Sequence, residues 1–517
     1  MKKALTRYVS WLLAMVMVFA FSACKKAGTE ADNAAGKKTL SLAANFAYPS
    51  LDPHVEYYSW YTQIYGVTES IFKLDDSMNV VPGIAKDAVA DETGKVWTVT
   101  LNDGVKFSNG NPVTAQVVVD NIKRLAAANE RFATYGTFTY AVVNDTTFTV
   151  TTPEVYPILK SDMASPEFAV IDLSANDDFS KTVTGTGPFV IKSFIPEGDV
   201  VVEKNANYWN GEVKLDEVTF HYMQEDEPKL NAMQSGEIKG YDSVTADAVQ
   251  IYQKDPSKYN LTSVPGTRLQ FYIVNMNAGK PLADANLRAA INGTIDKEAI
   301  AAFLNGTVAA TASPYKSEAA YGKANGQARI PADQAKALIE QAGYTMGADG
   351  FYQKDGQQLN LKICYYAARS LDTLATLMQE QLKAIGVNAT LTVEEDPDAT
   401  YIANPDMFDL ALYCMISDKS GDPQYFIDSC FKEGAYYDVG GYSDPAVEAK
   451  VTELANTTDP ARRAQLANEI IQATIDAGAF GYVGLFNKVT VLAPGITGYA
   501  NTNPFDFYAI NANTDIA

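Results

Sequence analysis

Residues 359–393 carry the pattern that most restricts what this chain can fold into. Leu359, Leu361 and Ile363 alternate with other residues, the period-two signature of a half-buried strand. Leu374, Leu377, Met378, Leu382 and Ile385 then recur at helical spacing, and Gly386 supplies a stop. Val387, Ala389, Leu391 and Val393 alternate in a second strand. Two strands joined through a helix by short links run parallel, and the crossover between them is right-handed. An earlier helix carries Ala335, Leu338, Ile339 and Ala342 on one face and stops at Gly343. Residues 71–184 differ, being rich in short alternating strands such as Thr147–Thr151. The chain therefore reads as mixed α/β, with no internal repeat.

At 517 residues the chain is about three typical domains long, so more than one core is expected. Hydrophobic content of 47% with 20% charged residues is that of a globular protein and excludes a disordered one. The formal charge of −21 excludes a nucleic-acid partner, which needs basic stripes, and is repelled by anionic lipid. The 30 tyrosines offer apolar rings with polar tips, which suit a cleft that grips varied ligands; most are assigned to sheets and surfaces.

Membrane attachment has to come from the N-terminus. Lys2, Lys3 and Arg7 precede an apolar run at residues 9–21 that is short for a membrane span. Phe21-Ser22-Ala23-Cys24 resembles a lipobox, in which bacterial lipoproteins are lipidated on cysteine and cut before it, although Phe21 stands where Leu is usual. This predicts a signal peptide at 1–23, lipidation of Cys24 and a flexible tether at 24–38. Cleavage removes three cations and no acids, leaving −24, and leaves Cys364, Cys414 and Cys430. An odd number of thiols does not describe a disulfide framework, so buried free thiols are expected, with a Cys414–Cys430 bridge left open.

Residues 97–119 form a second distinctive stretch. Trp97, Val99 and Leu101 alternate in a strand, Asp103-Gly104 and Asn109-Gly110 are turn dipeptides, and Thr114 can cap a helix bearing Val118, Ile122, Leu125 and Ala126. This cassette resembles one near the front of the family 5 extracellular solute-binding proteins, the dipeptide, oligopeptide and nickel receptors of ABC importers. Leu51-Asp52-Pro53-His54 resembles the family's early element. Gly185-Thr186-Gly187-Pro188-Phe189 with Asn205-Ala206-Asn207-Tyr208-Trp209, then Asn286-Leu287-Arg288-Ala289-Ala290 with Asp296-Lys297, and Tyr442-Ser443-Asp444-Pro445 follow in the family's order.

The resemblance implies a two-lobed, hinge-bending periplasmic-binding-protein fold with mixed sheets and an extra inserted domain. The implied segments are lobe 1 at 39–70, 185–277 and 488–517, the inserted domain at 71–184, and lobe 2 at 278–487. It implies a monomer that works outside the cytoplasm, anchored through Cys24 to the bacterial cell membrane, and partners an ABC permease and ATPase complex. No cofactor is implied.

Catalytic signatures are absent: there is no G-x-S-x-G elbow, H-E-x-x-H or phosphate loop, so an enzyme is not expected. Only His54 and His221 could supply imidazole, which argues against a bare transition-metal site; hydrogen-bonding or strand roles are expected of both. Where nickel-binding members place a histidine, this chain reads Gly434-Ala435-Tyr436-Tyr437.

Capture between closing lobes remains. In peptide-binding relatives an aspartate three residues before an acidic-Pro pair holds the ligand amine. Here the pair is Asp422-Pro423, with Lys419 at that position and Asp418 one residue away. Arg131 matches a pocket arginine of nickel-type members and offers a carboxylate-binding fork, while a second such arginine is replaced near Ser165-Pro166. Arg369 lies near Tyr365 and Tyr366 at a strand end, where α/β sheets bind ligands. Of the cluster Tyr57, Tyr58, Trp60 and Tyr61, one or two are expected in the cleft, with Tyr57, Tyr58 and Tyr61 as candidates; Trp97 and Trp209 are assigned to packing. The expected function is reception of a small solute, a short peptide first. The alternatives are a nickel–chelator receptor and, from another class, a surface-anchored hydrolase.

Overall fold

The computed structural model describes residues 36–517. The expected signal peptide, the Cys24 lipidation site and most of the tether lie outside them. Strand β1 (Thr39–Ala44) leads to helix α1 (Tyr58–Ile64), which carries the aromatic cluster. A four-stranded antiparallel sheet follows, ordered β2-β3-β5-β4 from β2 (Ala85–Ala90), β3 (Val96–Leu101), β4 (Thr139–Asn144) and β5 (Thr147–Thr151). Helix α2 (Ala115–Ala128) packs its Val118, Ile122 and Leu125 into the same core as Trp97, Val99 and Phe148. Thr114 caps that helix by accepting from Val117 N.

The chain then returns to β1. Strands β6 (Phe189–Phe194), β7 (Val200–Lys204) and β8 (Glu217–Tyr222) complete a sheet ordered β1-β8-β7-β6, in which β1 and β8 are parallel. Its core holds Leu40, Leu42, Tyr65, Phe189 and Phe220.

A second, larger sheet spans the rest. In chain order its strands are β9 (Gly240–Asp242), β10 (Asn260–Val274), β11 (Val308–Ala310), β12 (Asn360–Tyr365), β13 (Asn388–Val393), β14 (Leu410–Ile416) and β15 (Phe480–Leu492). The order is β9-β15-β10-β14-β12-β13, with β11 on β15. Strands β12 and β13 are parallel, from Asn360 opposite Asn388 to Tyr365 opposite Val393. Helix α3 (Leu371–Ala384) makes the crossover, burying Leu374, Met378 and Leu382. Gly386 follows it at φ +82°, a left-handed conformation that accommodates the tight exit into β13. The expected strand–helix–strand unit with parallel strands is thus present.

Strands β10 and β15 are long because each serves both ends of this sheet. One end of β15 pairs with β9, and the other lies beside β10 next to β14. Between Pro265 and Leu269, β10 advances four residues while β15 moves only from Asn487 to Leu485. The two extra residues make a bulge, which bends a strand and redirects its side chains. This irregularity lies upstream of 277, where the resemblance placed the first lobe boundary.

Cys364, Cys414 and Cys430 are free and buried, so the Cys414–Cys430 bridge does not form. Among the described residues no helix is long and apolar enough to cross a membrane.

Candidate functional site

The β10 bulge opens onto a cavity of about 590 Å³, within the range of small-ligand pockets. Thr267 and Arg268 project into it from the bulge. Its other walls come from segments far apart in sequence. Tyr57, Trp60, Arg131 and Glu167 stand on one side, Tyr413, Met415, Lys419, Tyr425 and Tyr437 on another, and Phe505, Asp506 and Phe507 close it.

The first wall is a rigid ladder. Tyr57 and Trp60 are three residues apart at the start of α1, so they share a face. Their rings lie 4.5 Å apart, and Trp60 stacks on Phe507 at 4.4 Å. The Arg131 guanidinium sits over the Tyr57 ring at 3.7 Å from its centroid, a cation–π contact. Arg131 also donates to Asn129 Oδ1 (3.3 Å), to buried Glu167 Oε1 (3.3 Å) and to the Glu56 carbonyl. Trp60 Nε1 donates to the same Glu167 oxygen at 3.2 Å. Much of Arg131's hydrogen-bonding capacity is thus engaged in fixing the wall.

The opposite wall is a tyrosine network. Tyr413 donates to Asp398 (3.0 Å), Tyr437 donates to Tyr413 (3.0 Å), and the two rings lie 4.8 Å apart. Lys419 Nζ lies 5.3 Å from the centroid of Phe132 and 5.7 Å from that of Tyr425. Neither Lys419 nor Arg268 has a carboxylate in ion-pair contact among the described residues. A second cavity of about 400 Å³ adjoins across Lys419 and Tyr425, with Asp162, Asp422 and Asp428 on its lining.

Of the seven residues expected at the ligand, Tyr57, Arg131 and Lys419 line the main cavity. Tyr58 and Tyr61 do not. They occupy the neighbouring face of α1, where Tyr58 packs on Tyr48 (5.1 Å) and buried Tyr61 accepts from Phe46 N (3.1 Å). Asp418 is turned away into the body behind β14. It accepts from Tyr321 Oη (2.7 Å) and Gly421 N (2.8 Å), and burial pushes its carboxyl pKa up to about 7. The one-residue shift that would have brought Asp418 to the ligand is absent, because Lys419 takes the cavity-facing direction. Arg369 lies outside the lining, its carbonyl accepting from Gln270 Nε2 at 2.6 Å; its charge still lowers the pKa of the Cys414 thiol, which burial holds at about 11.

The histidines lie elsewhere. His54 is buried, facing the Ala169 carbonyl (2.9 Å) and Arg124 (2.8 Å), and burial lowers its pKa to about 4. Its neutral ring donates through Nε2 and accepts through Nδ1, while Arg124 grips Asp52 of the same element at 2.6 and 2.8 Å. His221 contacts Asp199 at 2.9 Å. Among the described residues no three His, Cys, Asp or Glu gather as a metal site. Trp97 is core, and Trp209 donates to Glu69.

Sequence reasoning missed Arg268, Tyr413, Tyr425, Tyr437 and Asp506. Pro265-Gly266 ahead of Arg268 and the single acid within Phe505-Asp506-Phe507 were the available signals.

The sequence matches the bacterial extracellular solute-binding proteins, family 5 middle region, over residues 79–438. It is 23% identical to the nickel-binding protein NikA of Staphylococcus aureus, covering 87% of this chain and 89% of that one. It is 24% identical to the periplasmic oligopeptide-binding protein OppA of Salmonella typhimurium, covering 93% and 94%. The fold superposes on the crystal structure of a nickel ABC transporter protein from Bacillus halodurans with a TM-score of 0.85 at 23% identity, over 93% of this chain and all of that one.

Proposed function

The chain belongs to family 5 of the bacterial extracellular solute-binding proteins, the receptors of ABC importers, and we propose from that premise that its cleft captures a short peptide. Such proteins work outside the cytoplasm and hand small solutes or peptides to a permease. The observation that carries the peptide proposal is the charge of the cavity. In a chain of net charge −21, its lining carries Arg131, Arg268 and Lys419 against Glu167 and Asp506. Arg131 and Glu167 face each other at 3.3 Å, which leaves Arg268 and Lys419 to meet a ligand carboxylate and Asp506 to meet a cation. The aromatic walls accept side chains of varied shape, and backbone groups of the β10 bulge are within the same cavity. The oligopeptide-binding relative is consistent with this ligand class.

Binding is noncovalent and leaves the ligand unchanged. Lipidation at Cys24 tethers the receptor beside its permease, and the lobes rotate about the β10–β15 crossing. Native mass spectrometry of protein from a peptide-rich medium should show co-purified peptides; a cleft persistently empty, or peptides hydrolysed during incubation, would refute the proposal.

A second possibility is a nickel–chelator receptor, favoured by relatives named as nickel-binding, one solved with Ni(L-His)2. With both histidines remote from the cavity, the metal would have to arrive fully chelated. Calorimetry with nickel plus free histidine separates the two.

A further inference from the structure

We propose that Asp506 is the anchor for a ligand ammonium group, presented from the C-terminal segment. This deepens the peptide proposal and rests on it. The cavity has two lining carboxylates, and they differ in what they touch. Glu167 is taken by Arg131 and Trp60. Asp506 has no hydrogen-bond or ion-pair partner among the described residues, and it stands solvent-exposed on the cavity lining. Desolvation by the surrounding protein raises its carboxyl pKa, and the positive charges of Lys488, Arg268 and Arg369 work in the opposite direction.

A carboxylate exposed on a cavity wall, with no cation in ion-pair contact among the described residues, is open to a cationic group of the ligand. The segment that carries it is not loose. Lys488 Nζ, buried on β15, donates to the carbonyls of Ala500 (3.0 Å), Phe505 (3.4 Å) and Tyr508 (2.6 Å). Asn503 Nδ2 donates to the Leu74 carbonyl at 3.1 Å, and Tyr508 Oη accepts from Leu74 N at 3.0 Å. The loop is therefore held at several points while its one acid is left open, the arrangement of a preorganised binding group.

The surroundings select an ammonium. Phe505 and Phe507 flank Asp506 on the cavity lining, and Trp60 stacks on Phe507, so aromatic faces border the carboxylate. Arg268 and Lys419, also without carboxylate partners in ion-pair contact among the described residues, supply the complementary positive end. Asp418, the acid offered by the family pattern, is occupied by Tyr321 and Gly421 on the far side of Lys419. The ammonium site has thus moved to the opposite wall.

The test uses ligand-stripped protein and two probes, a tryptic digest of casein and the same digest N-acetylated, with retention read by equilibrium dialysis and mass spectrometry. Wild type should retain the free-amine digest at least tenfold better than the acetylated one. Asp506→Asn should lose that preference, and Asp506→Glu should keep much of it, at unchanged melting temperatures. Equal retention of both digests by wild type, or an unchanged preference in Asp506→Asn, overturns the assignment. Retention of neither digest refutes the peptide proposal instead; NMR titration with n-butylammonium then decides the site. Binding that disappears in Asp506→Asn sustains the ammonium anchor, and binding indifferent to the substitution overturns it.

Discussion

Arg268 owes its position to two residues that β15 does not match. The bulge between Pro265 and Leu269 turns its side chain into the cavity, where a regular strand would have alternated past it. Arg268→Gln should weaken ligand capture at least tenfold in titration calorimetry, because a charged fork is replaced by a neutral amide. Asp418 makes a different prediction. Its folded pKa of about 7 lies above the unfolded carboxylate value, so the folded protein holds this proton more tightly than the unfolded chain. That contribution is complete below about pH 4 and is lost as pH rises through about 7. Asp418→Asn, neutral throughout, should gain melting temperature relative to wild type between pH 5 and pH 8, by an amount equivalent to a few kcal/mol at most, about 4. Parallel melting curves for the two proteins across that range would refute the buried-proton account.

At the scale of elements, α1 shows how a helix sorts an aromatic cluster. Tyr57 and Trp60 face the cavity, and Tyr58 and Tyr61 face the β1 side of the lobe, because residues three apart share a face. The loop at 500–508 is set by β15 through one buried lysine. Lys488→Met keeps the apolar stem but strands three carbonyls without their donor. We expect destabilisation by about 3 kcal/mol in urea unfolding, since each lost buried hydrogen bond costs on the order of 1 kcal/mol or more. Ligand affinity should fall as well, because the loop carries Asp506. A variant with unchanged stability and affinity would show that other contacts position the loop.

At the scale of the whole molecule, contacts beyond the cavity itself join segments far apart in sequence. Lys316 Nζ donates to the Asp76 carbonyl at 3.0 Å, joining a residue of the expected second lobe to one of the expected inserted domain. Gly421, at φ +76°, lies so near Met78 that an added Cβ would fall 2.4 Å from its carbonyl oxygen. A ligand that bridges the walls adds to these contacts and binds only the folded state. At a concentration one hundred times its dissociation constant it should stabilise the protein by about 2.7 kcal/mol, read as an upward melting shift that saturates logarithmically. The absence of any shift with a ligand shown to bind by dialysis would contradict that linkage.

Local patterns were legible in the sequence alone. The 359–393 crossover, the Thr114-capped helix, the strands around Trp97 and the order of the family's motifs all depend on spacing and near-neighbour chemistry, which a linear chain displays. Tyr57, Arg131 and Lys419 could be found because they sit in or beside such motifs. Arg268, the tyrosines of the far wall and Asp506 could not. They reach one cavity only after strands of the large sheet pair across hundreds of residues and a bulge turns one of them. Which of two adjacent residues, Asp418 or Lys419, faces the cavity is a matter of side-chain direction, and only the packed structure decides it.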